Sequence, residues 1–500
     1  MARRNDTMHV TKWSVMIGFL TLCIFVTPTV SAQQKREFRA AWIQCVNGQF
    51  MNMGTQKMQQ TLSYQLDELQ KDGCNAIIFQ VRPECDALYE SRLEPWSYYL
   101  TGEQGKAPIP YWDPLQWMIE QSHRRGMELH AWINPYRAKT KAPHRNASNH
   151  VVTLHPERCF LYDGLTLLNP ALESNRDYIC EVAKDIVERY DVDGLHIDDY
   201  FYPYLAPGIA IPDAADYQAS SNGIKDIGDW RRHNVNLFVQ QLSETIHQAK
   251  PWVKFGVSPF GIYRNKKNDS NGSNTFGLQN YDELYADVLL WDANGWMDYC
   301  VPQIYWEIGN KAADYHELIT WWNRHLQHTN LYIGEDVERT AKFHDLERKM
   351  LLHAQSSHVK GTVLWYAKAA VDNVGGYATS LRTNYWRTPA LQPLTAGMKT
   401  KSPGKVKKVK VMDFDGQKVL FWTAPKAKQW DTEATSYVVY RFHRGERISL
   451  DDPSKIVAIT TDTHYELPAA ERKSRYVYAV TALNRIHSEG KEVKKSVKYD

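Results

Sequence analysis

The sequence predicts an α/β fold, a TIM (β/α)8 barrel, with a C-terminal all-β immunoglobulin-like sandwich. Three observations lead to this fold class. Short apolar strands alternate with amphipathic helices from about residue 36 to 387, and eight strands can be counted there. A linker rich in Pro, Lys and Gly follows at 388–405, and after it short strands continue without helices over 406–500. Strands that alternate with helices indicate a parallel sheet.

The eight barrel strands are predicted at 38–44, 75–82, 128–134, 194–200, 254–260, 299–307, 331–335 and 361–367. Between them lie helices with one apolar face, such as Leu62, Leu66 and Leu69 in one helix and Ile179, Val182, Ile186 and Val187 in another. The alternative, an open doubly wound sheet, would need a glycine-rich phosphate turn after the first strand. Residues 45–54 contain no G-x-G-x-x-G pattern, which favours the barrel.

Long segments follow the third, fourth and fifth predicted strands, at 136–168, 201–229 and 261–281. All three lie on the carboxyl side of their strands, the face on which barrel enzymes carry their active sites. We therefore expect the functional site there.

The N-terminus predicts a secretory signal peptide over residues 1–32. Arg3, Arg4 and Lys12 precede an apolar run at 13–26, and small residues end at Ala32. An uncleaved anchor is the alternative, whereas Leu22 before Cys23 disfavours a lipoprotein. The signal peptide predicts an exported protein of the periplasm or cell envelope. Because the rest of the chain has no long apolar run, we expect no further membrane span.

Composition excludes several classes of function. A formal charge of +3 over 500 residues gives no electrostatic signal for nucleic acid. The six cysteines beyond residue 32 are scattered without C-x-x-C spacing, so a zinc cluster is not expected.

The C-terminal region resembles a fibronectin type III domain, with Trp422 as a buried ring. Its strands are predicted at 419–422, 437–442, 456–460 and 476–483. Its excess of basic residues fits either an anionic polymer or a soluble spacer.

The stretch 192–203 carries the strongest functional signal. Leu195 and Ile197 lie on one face of a predicted buried strand, while His196 and Asp198 lie on the other. Ionisable groups on a buried strand are costly unless they line a site. By the same alternation Asp199 points away from Asp198, which suits a supporting role.

The other strands become richer in polar and aromatic side chains toward their carboxyl ends. Flat rings beside acids suit a sugar-binding cleft, because rings stack on sugar faces and carboxylates transfer protons. The residues predicted to bind substrate are Trp42, Gln80, Arg82, Glu84, His130, Trp132, Asn134, Tyr136, His196, Tyr200, Gln303, Tyr305 and Trp365.

A glycosidase needs two carboxylates, and Asp198 and Glu307 are the acids that stand out at predicted strand ends. Asp199 is the third candidate for catalysis, and Glu84 is a further alternative. Arg82, His130 and His196 are candidates to keep one acid ionised. This chemistry requires no cofactor.

Five motifs resemble the glycosyl hydrolase-like 10 family: residues 38–42 (FRAAW), 79–83 (FQVRP), 130–135 (HAWINP), 193–200 (DGLHIDDY) and 302–306 (PQIYW). The resemblance implies a TIM-barrel glycoside hydrolase of the bacterial envelope. It also implies peptidoglycan glycan strands as substrate, since a relative is a glucosaminidase that acts on strands stripped of stem peptides. By analogy with related barrels, it places the nucleophilic carboxylate at Asp198 and the acid/base at Glu307.

Two alternatives remain open from the sequence. A metal-dependent polysaccharide deacetylase would use His130, His196 and Asp198 as ligands, although no further ligand joins them convincingly. A non-catalytic carbohydrate-binding protein would keep the rings and tolerate loss of the acids.

Overall fold

Eight parallel strands close into a barrel in the computed structural model, which describes residues 33–398, 401–469 and 475–497. The predicted signal peptide lies outside the described residues. The strands follow one another around the ring in chain order, and the last pairs with the first. They are β1 (Phe38–Ile43), β2 (Ala76–Arg82), β3 (Glu128–Ile133), β4 (Gly194–Ile197), β5 (Lys254–Val257), β6 (Tyr299–Cys300), β7 (Asn330–Asp336) and β8 (Val359–Trp365).

All eight predicted barrel strands are confirmed, but the fourth, fifth and sixth end three or more residues before their predicted ends. β4 ends at Ile197, β5 at Val257 and β6 at Cys300. Pro259 and Pro302 lie two residues beyond β5 and β6, and proline has no N–H to continue a ladder. Asp198, Asp199, Gln303 and Glu307 of the predicted site therefore lie past the strand ends, where side-chain alternation no longer applies.

Helices follow the strands and cover the barrel. They are α1 (Thr55–Lys71), α2 (Pro114–Arg124), α3 (Glu173–Arg189), α4 (Ile227–Ala249), α5 (Val288–Asn294), α6 (Tyr315–His325), α7 (Leu346–Gln355) and α8 (Ala367–Val371). Short helices occupy Tyr98–Thr101, Val151–Leu154, Ala214–Ser220, Val337–Phe343 and Tyr377–Ser380. The apolar faces predicted for α1 and α3 are buried against the barrel.

The barrel wall has two apolar sides, as the alternation of side chains predicts. Ile77, Phe79 and Val81 of β2 pack outward among the helices, while Ile78 packs inward with Phe38. The register of β2 against β3 shifts between Gln80 and Arg82. This bulge breaks the alternation at the end of β2.

The long segments after β3, β4 and β5 are confirmed. The first of them folds into a small antiparallel sheet of Arg137–Lys139, Cys159–Tyr162 and Leu165–Leu168, with the last strand in the middle. These segments lie at the carboxyl ends of the strands, which we call the mouth of the barrel. The amino-terminal ends form its floor.

The C-terminal region is the predicted all-β sandwich of two antiparallel sheets. One sheet has the order β9 (Lys407–Phe414), β10 (Gln417–Thr423), β13 (His464–Glu466), and the other has the order β12 (Ile456–Thr460), β11 (Ser436–His443), β14 (Tyr476–Leu483), β15 (Val493–Val497). Trp422, Tyr437 and Tyr478 are buried between them. The four predicted strands are confirmed, and β9, β13 and β15 were not predicted. The likeness to fibronectin type III stays a prediction.

The sandwich packs against the floor of the barrel. Arg485 forms an ion pair of 2.7 Å with Asp191, and Lys35 forms one of 2.7 Å with Glu489. The Nε2 of His487 lies 2.6 Å from a carboxylate oxygen of Glu128, the first residue of β3. Within the described ranges, no helix is long and apolar enough to cross a membrane, and the six cysteines form no disulfide.

Candidate active site

Asp198 and Asp199 form a buried acidic pair where β4 opens into the mouth. Their residues are 4% and 2% exposed. Trp132 donates its indole N–H to Asp198 over 3.1 Å, and Asn134 donates its amide over 3.2 Å. The carboxyl of Asp199 accepts a hydrogen bond from the Tyr204 hydroxyl, and the Gln303 side chain also favours its charged form. The two acids thus contact different sides of the same cleft.

Burial gives both acids an unusual affinity for protons. Burial raises the pKa of Asp199 to about 7, and the neighbouring charge of Asp198 adds to the effect. Burial also raises the pKa of Asp198, but the charge of Arg137 and the hydrogen bonds from Trp132 and Asn134 oppose this rise. Asp198 has two hydrogen-bond donors and the charge of Arg137 to stabilise its anion, so Asp199 is the member of the pair that holds a proton more readily.

Aromatic rings line the cleft beside these acids. Tyr305 stacks on Trp365, with ring centres 6.0 Å apart and planes 20° from parallel. Trp365 also meets Trp42 edge-on at 6.1 Å and Trp132 at 6.3 Å. Because Tyr305 and Trp365 are partly exposed while Trp42 and Trp132 are buried, the first two present ring surface to a ligand.

A second group of rings lies on the Asp199 side. Tyr200 stacks on Tyr204 at 5.3 Å, and the Arg137 guanidinium lies 5.0 Å from the centre of the Tyr200 ring. Phe260 contacts Tyr204 at 6.2 Å and Trp306 at 5.5 Å. Partly exposed rings therefore occur on both sides of the acidic pair.

Sequence reasoning missed Tyr204, Arg137 and Asp336. Tyr204 lies in an irregular segment, and Arg137 begins a short strand outside the barrel that the sequence did not predict, so the alternation of the barrel strands applies to neither. Asp336 is the last residue of β7, and its charge contributes to raising the pKa of Tyr305. The rule that singled out Asp198, an acid at a strand end, would have found Asp336 as well.

His130 and His196 lie on the barrel axis beneath the mouth. The Tyr299 hydroxyl lies 2.7 Å from Nδ1 of His130 and 3.1 Å from Nδ1 of His196. Nε2 of His130 bonds Glu128 over 3.0 Å, and Nε2 of His196 bonds the Ser258 hydroxyl over 2.9 Å. All four ring nitrogens thus have protein partners, which does not fit the deacetylase alternative. Nowhere in the described ranges do three His, Cys, Asp or Glu side chains group as metal ligands.

Arg82 and Glu84 lie away from the acidic pair. Because of the bulge in β2, Arg82 is directed out of the barrel, where it forms a buried ion pair of 2.6 Å with Glu94. The fully buried Glu84 accepts hydrogen bonds from the Thr140 N–H and, over 2.9 Å, from His144. Arg82 is therefore not placed to keep Asp198 ionised, and Glu84 anchors the segment after β3.

Two further predicted residues, Gln80 and Tyr136, have other surroundings. The Gln80 side chain accepts hydrogen bonds from the backbone N–H groups of Cys45 and Val46 and so holds the loop after β1. Tyr136 is buried with its ring 5.1 Å from Phe238 of α4, in the outer core. Neither side chain contacts the acidic pair.

Glu307 lies in the turn after β6, seven residues beyond the end of the strand. Arg339 donates to its carboxylate over 2.7 Å, and Asn310 does so over 2.7 Å. Burial alone would raise its pKa, but hydrogen bonds from its own backbone, Asn310 and Arg339 hold the pKa below the usual value. An ionised, arginine-paired carboxylate does not suit the acid role, and no hydrogen bond joins Glu307 to Asp198 or Asp199 in the described structure.

Similar proteins place the chain in a family. The glycosyl hydrolase-like 10 family matches residues 37–348. A protein of Bacillus subtilis (strain 168), glycosyl hydrolase YngK, is 37% identical over 97% of this chain and 98% of its own length. Glycosyl hydrolase DigH of Escherichia coli (strain K12) is 36% identical over 61% of this chain and 74% of its own length.

Among solved structures, the glycoside hydrolase domain of PgaB (BpsB) from Bordetella bronchiseptica superposes with a TM-score of 0.46, at 11% identity over 70% of this chain and 99% of that domain. The family match covers most of the barrel, and the Bacillus subtilis relative aligns along nearly the whole chain. The chain therefore belongs to the glycosyl hydrolase-like 10 family and is a glycoside hydrolase.

Proposed function

We propose that this enzyme cleaves glycosidic bonds in peptidoglycan glycan strands of the cell envelope, with Asp199 as the general acid. The observation that carries the proposal is the buried pair of Asp198 and Asp199 beneath partly exposed rings. Glycoside hydrolysis requires one protonated and one ionised carboxyl that flank the scissile bond.

In this mechanism Asp199 gives its proton to the glycosidic oxygen as the bond to the anomeric carbon breaks. A water molecule then adds to the anomeric carbon and gives one proton back to Asp199, which completes the hydrolysis. Asp198, whose charged form accepts hydrogen bonds from Trp132 and Asn134, stabilises the positive charge that develops on the sugar. Tyr305 and Trp365 bind sugar faces by stacking. In this proposal the two catalytic carboxyls are Asp198 and Asp199, in place of the pair Asp198 and Glu307 that the sequence predicted.

Three features support a cell-envelope polysaccharide as substrate. The predicted signal peptide directs the chain to the envelope, and the motif resemblance implies an amino-sugar polymer. Partly exposed rings on both sides of the acids, Tyr305 and Trp365 on one and Tyr200 and Phe260 on the other, suit a chain that extends past the cleavage point.

Incubation with peptidoglycan stripped of stem peptides tests the proposal. We expect the wild-type enzyme to release new reducing ends, with oligosaccharide products identified by mass spectrometry. Asp199→Asn should lower the rate by about 10³-fold or more, because the proton donor is lost. Cleavage of chitin, mannan or glucan panels without cleavage of denuded peptidoglycan would refute the substrate. A near-wild-type rate for Asp199→Asn would refute the acid assignment.

A further inference from the structure

A continuous chain of hydrogen bonds runs along the barrel axis from the sandwich toward the mouth. It begins with His487 and Glu128, 2.6 Å apart, at the floor. It continues through His130, Tyr299 and His196 by the contacts of 3.0, 2.7 and 3.1 Å given above. The indole N–H of Trp42 reaches Nε2 of His196 over 3.3 Å, and the Ser258 hydroxyl reaches it over 2.9 Å. Glu128, His130, His196 and Ser258 are buried.

The two ends of this chain fix its direction. An indole N–H only donates, so Nε2 of His196 is an acceptor and its Nδ1 carries the proton. A carboxylate only accepts, so Nε2 of His130 carries the proton and its Nδ1 accepts. Tyr299 fits between them because its hydroxyl donates to His130 and accepts from His196. Burial lowers the pKa of His196 well below its usual value, so this ring is neutral and held in one tautomer.

The upper end of the chain reaches the groups that bind Asp199 and the sugar. The backbone oxygen of Ser258 accepts the Gln303 amide over 2.9 Å, and the Gln303 side chain in turn lowers the pKa of Asp199. Trp42, held by His196, packs against Trp365. In the other tautomer of His196, the Nε2–H would face the indole N–H of Trp42. His196 would then hold neither Trp42 nor Ser258 in place.

We propose that Glu128 and Tyr299, and through Glu128 the sandwich residue His487, are positioning residues for the reaction at the mouth. The lower end of the chain fixes the tautomer of His196, which in turn holds Trp42 and Ser258. The sandwich is thereby coupled to catalysis. The inference rests on the proposed function only in its last link, the role of Asp199.

Two substitutions of His487 test the coupling. His487→Ala removes the donor to Glu128, whereas His487→Gln retains an N–H there. We expect His487→Ala to lower kcat about three- to tenfold with KM within twofold, and His487→Gln to restore most of kcat. Arg485→Ala is the matched control, because it breaks the ion pair with Asp191 at the same interface but does not contact Glu128. It should lower Tm and leave kcat unchanged.

The rates are measured on whichever glycan the wild-type enzyme cleaves, so that a wrong substrate proposal does not affect the result. Unchanged kcat in His487→Ala would overturn the coupling, and so would an equal loss in Arg485→Ala, which would indicate general loosening of the interface. Tyr299→Phe provides a test that does not depend on the interface. It should lower kcat about tenfold and change the ¹⁵N shifts of the His196 ring, and wild-type kcat and shifts would overturn the proposal.

Discussion

The mouth and the floor of the barrel both contain buried carboxylates, but with opposite electrostatics. At the floor, Glu128 would be disfavoured as an anion by burial, yet Lys254 and His487 hold its pKa well below the usual value. Lys254 contacts both of its oxygens, at 2.6 and 2.8 Å. At the mouth, Asp199 forms no ion pair, and burial raises its pKa to about 7. The comparison shows that burial alone does not set the charge, because the available counter-charge decides it.

This difference separates a structural acid from a chemical one. Glu128 is an ionised acceptor for three donors and has no proton to give. Asp199 retains a proton near neutral pH, and the rings beside it at the mouth are partly exposed to solvent. Four predictions test this distinction, and they are ordered by the size of the expected effect.

The largest effect is expected from Glu128→Gln. The substitution leaves Lys254, which is buried, without its counter-charge, and should lower the free energy of unfolding at pH 7 by about 3–5 kcal/mol. Since the folded pKa of Glu128 lies below its unfolded value, its contribution is present above about pH 4.3 and is lost as the pH falls further. Urea titrations should show a smaller difference in the free energy of unfolding between variant and wild type at pH 3.5 than at pH 7.

The double variant Glu128→Gln/Lys254→Met serves as the control, because it removes both charges and should recover part of the stability. A loss below about 1 kcal/mol in the single variant would show that the floor pair is not a strong buried ion pair.

Asp199→Asn should have the opposite effect on stability. The folded enzyme keeps the Asp199 proton up to about pH 7, whereas the unfolded chain releases it near pH 3.9. Wild-type stability therefore falls as the pH rises between these values, and the neutral amide avoids this loss. Thermal melts at pH 8 should show the variant more stable, on the order of 1–3 kcal/mol, with no gain at pH 3.5. Equal stability at both pH values would contradict the raised pKa.

The pH dependence of the rate should report the same proton. Because Asp199 acts in its protonated form, kcat should decline above about pH 7, approaching tenfold per pH unit. Tyr204→Phe removes a hydrogen bond that lowers the pKa of Asp199, so the decline should move to higher pH. A decline that stays in place in Tyr204→Phe would assign it to another group. Circular dichroism across the range controls for unfolding.

The smallest effect is expected from Glu307→Gln. Arg339 is 39% exposed in its side chain, and ion pairs at partly exposed positions contribute about 0–1 kcal/mol. We expect kcat within twofold of wild type and a small change in Tm. A loss of activity comparable to that of Asp199→Asn would instead restore Glu307 as a catalytic acid.

Strand alternation predicted the barrel well and the site in part. It correctly placed Ile77, Phe79 and Val81 outward, and the ring of eight strands followed from apolar runs separated by helical faces. It failed where strands ended early. Asp199 and Glu307 were assigned by counting residues along predicted strands, but β4 ends at Ile197 and β6 at Cys300. Beyond those points the direction of a side chain depends on its tertiary contacts.

Arg82 shows a second limit of sequence reasoning. A bulge of one residue reverses the side to which a side chain points, and nothing local in the sequence marks it. The buried partner, Glu94, is twelve residues away in an irregular segment. The axis chain was also out of reach, since it joins residues from four strands of the barrel and from the C-terminal sandwich.

The contact of His487 with Glu128 has a consequence for how such enzymes are cut and recombined. All-β sandwiches after a catalytic domain are commonly treated as exchangeable modules. Here one such sandwich supplies a donor to the barrel interior, and its Arg485 and Glu489 anchor the same junction. In a barrel produced alone, Glu128 would lose the hydrogen bond from His487, and the floor of the barrel would be exposed to water. The boundary near residue 400 is therefore a poor place to divide this protein, for the experimenter and for gene fusion alike.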